Sequence, residues 1–304
     1  MIRKLQFTAD ESFAGKTVLA LLQANRFSSR VIKELKRTPR GILIGNKKAT
    51  VLKTLRKGDV VTVYIHDKAG ENIVPANIPI DILFEDRDIM VINKPPFMAT
   101  HPSQDNFDTS LVNAIAYHLQ NKNENCTVRP VNRLDKNTSG LILVAKNAHA
   151  SGILSDDLKV KKIEREYLAF VEGSIDSDGT VDAPIARDSD SVIKRCVSEK
   201  GERAVTHYRV IKSGEFSLLR LKLETGRTHQ IRVHTSYIGH PVAGDFLYGT
   251  EFSGGIKRHA LHSYTLKFTH PVTREIMEFS APLPDDMKEI YERQWGTFDE
   301  TACI

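Results

Sequence analysis

Five consecutive apolar residues, Leu141-Ile142-Leu143-Val144-Ala145, follow at once on the polar run Pro130-Val131-Asn132-Arg133-Leu134-Asp135-Lys136-Asn137-Thr138-Ser139-Gly140. An uninterrupted apolar run of that length reads as a buried strand, so the polar segment before it is a loop anchored to a rigid sheet. Asp135 is therefore held in place, between the positive charges of Arg133 and Lys136 and ahead of three residues, Thr138, Ser139 and Gly140, that bend chain and offer donors. A carboxylate so placed could act as nucleophile or base. On spacing alone, an Asp that stabilises its own turn is the plainer reading.

A second segment of this kind is Leu218–Pro241. Leu219, Leu221 and Leu223 alternate as a strand, Thr225-Gly226 makes a turn, and Thr228 is placed to cap a helix that runs to Gly239 and is stopped by Pro241. Arg227 then stands just before a helix N-terminus, where it and the free backbone N–H groups suit an anion, unless it is simply a surface Arg. In a third segment Tyr167 opens an aromatic and β-branched strand pattern after a charged run, Lys161–Glu166. It could stack beneath a base or pack in the core.

The rest of the chain reads as an α+β protein. Gly15 to Arg26 and Ser28 to Arg37 are expected as two helices, the second with Val31, Ile32 and Leu35 on one side and Arg30, Lys33, Lys36 and Arg37 on another. Short strands follow at GILIG and VVTVYIH, and a turn-rich stretch, Asp67 to Pro79, is the candidate linker. Beyond it, Ile80 to Pro96 reads as two strands around an acidic turn at Glu85 to Asp88. The expected organisation is a small helix-and-sheet module over residues 1–70 and a large domain over residues 78–304.

Charge separates these two parts. The chain carries a net +5, yet residues 1–68 hold fifteen Lys and Arg against five Asp and Glu, so the remainder is net acidic. A polyanion attracted to the front end is the natural partner, with a merely solvated basic surface as the alternative. No stretch approaches the roughly 20 apolar residues of a membrane span, and the first residues lack the pattern of a signal peptide, which makes a cytoplasmic protein the expectation. Cys126, Cys196 and Cys303 are too scattered for a disulfide framework or a zinc site. His229 and His234, five apart, would point to different faces of a helix, and with His240, His259 and His262 they read as core or surface histidines, not metal ligands. No GxxxxGK, GxGxxG or GxSxG is present, so neither nucleotide cofactors nor a serine hydrolase is supported. No cofactor and no metal are expected.

Taken together, the segments resemble the RluA-type pseudouridine synthases, from about Ile80 to Met287. The run Asn132 to Gly140 is similar to the signature HRLDxxTSG. Supporting it in order are INKPP at Ile92 to Pro96, Arg165-Glu166-Tyr167, TGRTHQIRVH at Thr225 to His234, HPVAGDFLYG at His240 to Gly249 and HALHSYTLKFTHP at His259 to Pro271. RFSSRVIKELKR and LRKGDVVTV more weakly resemble an S-four-type RNA-binding domain. Asn132 departs from the commoner His, exchanging a group that can carry a proton for one that only donates and accepts.

The resemblance implies a mixed, mainly antiparallel catalytic sheet with flanking helices, isomerising uridine in RNA without a cofactor. It implies Asp135 as the catalytic carboxylate, Arg227 as its ion-pair partner and Tyr167 as the aromatic packed on the target uracil. Arg30, Lys33, Lys36, Arg37, Arg133 and Lys136 are the expected RNA contacts. Large-subunit ribosomal RNA is the expected substrate, with transfer RNA, or a non-catalytic RNA-binding assembly factor, as alternatives. An RNA hydrolase using His229 or His234 is the remaining rival.

Overall fold

A computed structural model of the chain describes residues 1–67, 73–103, 106–124 and 126–299. The expected linker falls partly, and Cys303 wholly, outside those residues. At the front, β1 (Ile2–Thr8), α1 (Val18–Ala24), α2 (Ser29–Arg37), β2 (Ile42–Ile44), β3 (Lys47–Lys48) and β4 (Val60–His66) build one layer of helix on sheet. The sheet order is β1-β4-β2-β3, antiparallel throughout. Leu21, Leu22, Val31, Ile32 and Leu35 from the helices meet Val61, Val63 and Ile65 from β4 in a core of their own. One expected element boundary is corrected and one strand is added. The first helix is shorter than Gly15–Arg26, because Thr17 caps it by accepting from the Ala20 N–H. The strand β1 was not legible at all: only Leu5 of its seven residues is buried, so its sequence is mostly polar.

The large sheet uses β5 (Asp81–Glu85), β6 (Ile89–Lys94), β7 (Arg129–Pro130), β8 (Ser139–Ala145), β9 (Glu164–Glu172) and β10 (Gly179–Asp182). A separate hairpin is formed by β11 (Ile185–Arg187) and β12 (Arg195–Val197). The sheet is completed by β13 (Val205–Lys212), β14 (Phe216–Leu223), β15 (Leu261–Thr269) and β16 (Ile276–Ser280). Its order is β10-β13-β14-β9-β15-β8-β6-β5, with β16 beside β15 and β7 beside β8. Among these pairings only β15 with β8 is parallel, so the sheet is mixed and mainly antiparallel, as expected. The helices α3 (Leu111–Asn121), α4 (Ala148–Lys159), α5 (Gln230–Tyr237) and α6 (Asp285–Trp295) flank it.

The apolar run that opened the reading is explained by β8, whose seven residues are all buried. Successive side chains leave a strand on opposite faces. Leu141, Leu143 and Ala145 enter one core and Ile142 and Val144 the other, and β6 divides Ile89 and Val91 from Met90 and Ile92 in the same way. Covering both faces removes the polar alternation that a half-exposed strand would show. Where β8 leaves the loop, Gly140 has φ of 105°, and a Cβ there would lie 2.2 Å from the Ser263 carbonyl oxygen. Only glycine lets β8 and β15 approach so closely.

The two parts are tied together by ion pairs. Arg3 makes a two-pronged contact with Asp88, and Arg26 does the same with Asp157. The Phe27 ring stacks on His149 at 3.9 Å. Asp67, in the expected linker, is buried and accepts from the Thr127 and Ala148 backbone while pairing with Arg129. Among the described residues no helix is long and apolar enough to cross a membrane.

Candidate active site

The loop carrying Asp135 is fastened from below. Asn132 is buried, donates from Nδ2 to the Leu141 carbonyl at 3.3 Å and accepts the Leu143 N–H on Oδ1 at 2.9 Å. Its amide thus supplies the donor and the acceptor that bind loop to strand, a neutral task for the residue that departs from the family pattern. Thr138 shares a hydrogen bond with His259 at 2.8 Å and Ser139 one with His262 at 2.9 Å. Burial pushes the His262 imidazole down to about 4 and His259 well below its ordinary value, so both stay neutral and structural.

Lys94, the lysine of INKPP, is fully buried and donates to the carbonyls of Pro95, Met98 and Lys136. It clamps the Asp135 loop from the other side. Burial and the nearby Arg258 bring this ammonium down to about 7, against the opposing pull of Asp135.

Above these fastenings the Asp135 side chain is 30% exposed and opens to a pocket lined by Arg133, Leu134, Thr138, Tyr167, Leu223, Arg227, His229, Ile231, Arg232 and Leu261. Its cationic partner is Arg232, whose Nη1 lies 3.2 Å from Oδ2. The Arg227–Asp135 ion pair implied by the resemblance does not form. Arg227 pairs instead with Glu202 and donates to the Arg203 carbonyl, on an exposed shoulder of the pocket. The local backbone gives the reason. Gln230 accepts the Arg227 N–H on its side-chain oxygen, closing a turn that sends the Arg227 side chain outward. Thr228 does not cap the helix; His229 stands at that position with φ of 59° and α5 begins at Gln230. Arg232, in the first turn of α5, then points back at the loop.

Arg232 is the better electrostatic partner because it cannot move. Its Nε and Nη2 hold the two oxygens of Asp245 at 2.6 and 2.8 Å, and its guanidinium carbon sits 5.0 Å from the Tyr248 ring centroid. Arg232 is 4% exposed and Asp245 0%. A buried guanidinium shared between two carboxylates keeps its proton, and the two carboxylates raise its affinity for it further in spite of burial.

His229 is the other close group, with Nε2 3.8 Å from the Asp135 carboxylate. Its Nδ1 shares a 2.8 Å hydrogen bond with the Tyr248 hydroxyl. Burial holds this imidazole below its ordinary value even though Asp135 pulls the other way, which favours its uncharged form. His234, by contrast, is turned into the core toward Thr206 and the Ala183 carbonyl.

Tyr167 lies in the middle of β9, between β14 and β15, and not at a strand edge. It is 5% exposed and forms one apolar wall of the pocket. Arg133 is exposed at the mouth, while the exposed Lys136 is held through its backbone by Lys94. Arg232, Asp245 and Tyr248 were not singled out from sequence, and His229 was named there only as a rejected metal ligand and as a residue of a rival RNA hydrolase. The available signal was a charged residue, Arg232, flanked by Ile231 and Val233 within TGRTHQIRVH, where burial of its neighbours required that the Arg find a buried partner.

Comparison with known proteins fits this arrangement. Residues 88–237 match the family model for RNA pseudouridylate synthase. The chain is 43% identical over 86% of its length to the uncharacterised RNA pseudouridine synthase YjbO of Bacillus subtilis, covering 94% of that protein. The chain belongs to the RluA-type RNA pseudouridine synthases. It is also 42% identical to the ribosomal large subunit pseudouridine synthase D of Vibrio cholerae, over 77% of this chain and 76% of that one. Among solved structures, human RNA pseudouridylate synthase domain containing 1 superposes with a TM-score of 0.56 at 29% identity, over 68% of this synthase and 84% of the human chain. The enzyme is thus an RNA pseudouridine synthase, and the matched segment contains the Asp135 loop, Tyr167 and Arg232.

Proposed function

We propose that this synthase isomerises uridines of large-subunit ribosomal RNA with Asp135 as its working carboxylate, Arg232 as the fixed counter-charge and Tyr167 as the wall on which the uracil rests. The observation that carries the reading is the partly exposed carboxylate of Asp135 set against a guanidinium that a second, fully buried carboxylate immobilises. Pseudouridine formation breaks the glycosidic bond, turns the base and joins its carbon 5 to the sugar. The carboxylate has to be ionised to attack or to stabilise positive charge, and the adjacent guanidinium favours that form. Because Asp245 and the Tyr248 ring fix Arg232 beforehand, no reorganisation accompanies the step.

A uracil inside a stacked helix cannot reach this pocket, so the nucleotide flips out and its face meets Tyr167. The mouth residue Arg133 and the exposed α2 stripe of Arg30, Lys33, Lys36 and Arg37 hold flanking phosphates, with residues 1–70 acting as an RNA-gripping domain of the S-four type and residues 78–304 as the catalytic domain. The outward direction of those four side chains, opposite Val31, Ile32 and Leu35, supports this role. The names of relatives such as pseudouridine synthase D support ribosomal RNA as the target.

The decisive experiment is Asp135→Asn, assayed by tritium release from RNA labelled at uracil carbon 5. RNA binding is expected to persist while turnover falls by at least about three orders of magnitude. Substantial residual turnover defeats the assignment. Mapping pseudouridines in total RNA with and without the gene tests the target, and a missing site in transfer RNA alone would redirect it.

A further inference from the structure

The hydrogen bonds around Tyr248 fix more than the orientation of His229. The Tyr248 hydroxyl accepts the Arg195 backbone N–H at 2.8 Å and contacts His229 Nδ1 at 2.8 Å. A phenol has one proton, and among the described residues His229 Nδ1 is the only other hydrogen-bond partner of this one. With Nδ1 as its protein acceptor, the phenol proton is best placed on that nitrogen. Nδ1 then accepts, and the imidazole proton belongs on Nε2, the atom that faces Asp135 Oδ2 at 3.8 Å. At that separation Nε2–H has no hydrogen bond to the carboxylate, and among the described residues it has no other acceptor.

Backbone geometry supports a selected placement. His229 adopts a left-handed φ of 59° at the start of α5, which turns its ring to the pocket wall where a right-handed residue would continue the helix. The Tyr248 ring meanwhile packs on the Arg232 guanidinium. One tyrosine thus sets the position of the cation and the tautomer of the imidazole, on the two sides of the same carboxylate. Through Arg195 it also joins them to β12 of the hairpin that borders the pocket shoulder.

We propose that His229 is a further catalytic residue, a neutral imidazole locked with its proton on Nε2, which donates a hydrogen bond to an oxygen of the flipped uridine seated against Asp135. Tyr248 is its positioning residue. The donor stays protonated throughout, so no proton is gained or lost and no group is transferred to it. Its contribution is to hold the uridine in line with the carboxylate while base and sugar separate, and a donor fixed before the reaction serves this better than one that must reorient. The inference rests on the reading of Asp135 as the working carboxylate.

The test uses the full-length enzyme and RNA labelled with tritium at uracil carbon 5, taken from cells lacking the gene, in single-turnover measurements over a range of enzyme concentrations in excess of the RNA. His229→Asn suits the left-handed backbone and keeps an amide near Tyr248, but withdraws the donor from the pocket. The rate at saturation is expected to fall roughly ten- to a hundredfold, with half-saturation moved by less than about threefold. His229→Gln, whose amide reaches the Nε2 position, should recover most of that loss. Tyr248→Phe keeps the ring against Arg232 and frees the tautomer, giving an intermediate fall. Nitrogen-15 spectra of the wild-type imidazole should show the Nε2–H tautomer whether or not any variant folds.

A wild-type rate in His229→Asn, or an Nδ1–H tautomer, overturns the proposal. Full activity in that variant beside a dead Asp135→Asn would remove the histidine and leave the carboxylate assignment standing. Activity retained by Asp135→Asn would remove both.

Discussion

Two sets of cations in this enzyme differ in nearly every physical respect. On α2, Arg30, Lys33, Lys36 and Arg37 stand in solvent, and the one ion pair seen there among the described residues, Arg30 with Glu34 at 3.8 Å, is loose. In the pocket, Arg232 is buried, gripped by Asp245 and stacked on Tyr248. Exposed charges are screened and mobile, so they attract a polyanion without fixing it. A buried guanidinium is costly to desolvate and is retained only with its partners in place, which makes it a fixed source of field. On the proposed reading, the comparison teaches that positive charge serves affinity in one region and transition-state electrostatics in the other.

Removing Arg232 should therefore have the largest effect. Arg232→Met leaves the Asp245 carboxylate buried without its cation, and a loss of about 3–5 kcal/mol of stability is expected together with loss of turnover. Calorimetry and tritium release check both, and a stable, active variant would break the contrast. Arg232→Lys separates the two effects: it keeps the charge and loses the two-pronged grip, so it should fold better than the Met variant yet remain slow.

Replacing all four α2 cations with Gln should instead leave the saturated rate unchanged. Affinity for RNA should fall, and the slope of log K against log salt should shrink by up to about 3, from roughly 0.7–0.9 per phosphate contact. An unaltered slope would detach α2 from RNA binding.

The stacked pair of Phe27 and His149 provides a pH test of the seam between the regions. Burial drives His149 down to about 4, with its Nδ1 buried and without a hydrogen-bond partner among the described residues. Its folded value is depressed, so the unfolded chain binds the proton more readily. The contribution of this contact is complete above about pH 6.5 and is lost as pH falls toward about 4. His149→Phe should remove that part of the acid sensitivity, seen as a melting temperature that drops by about 2–4 °C less over this range. Equal drops in both proteins would argue against the assignment.

The smallest effect is expected from Arg227→Ala, on the exposed shoulder. Its pairing with Glu202 is solvent-exposed, and stability should change by less than about 1 kcal/mol. A fall in rate as large as that of Arg232→Met would restore Arg227 to the role implied by resemblance.

The difference between the two arginines also marks the limit of the sequence. The strand β8, the polar loop ahead of it, the basic face of α2 and the family all follow from local pattern, because burial on two faces, turn chemistry and charge separation are written in neighbouring residues. Asp135 and Tyr167 stood out in their segments, but their roles came from the family resemblance and not from local pattern. The choice between Arg227 and Arg232 could be read from neither, since both lie in one ten-residue segment and both flank a helix start. It was settled by Gln230 closing a turn, by the left-handed His229, and by Asp245 and Tyr248 arriving from a later loop. The sequence by itself determined which chemistry is present; tertiary structure alone decided which cation meets the carboxylate, because an ion pair depends on where distant side chains are held, and that is set by packing across the whole sheet.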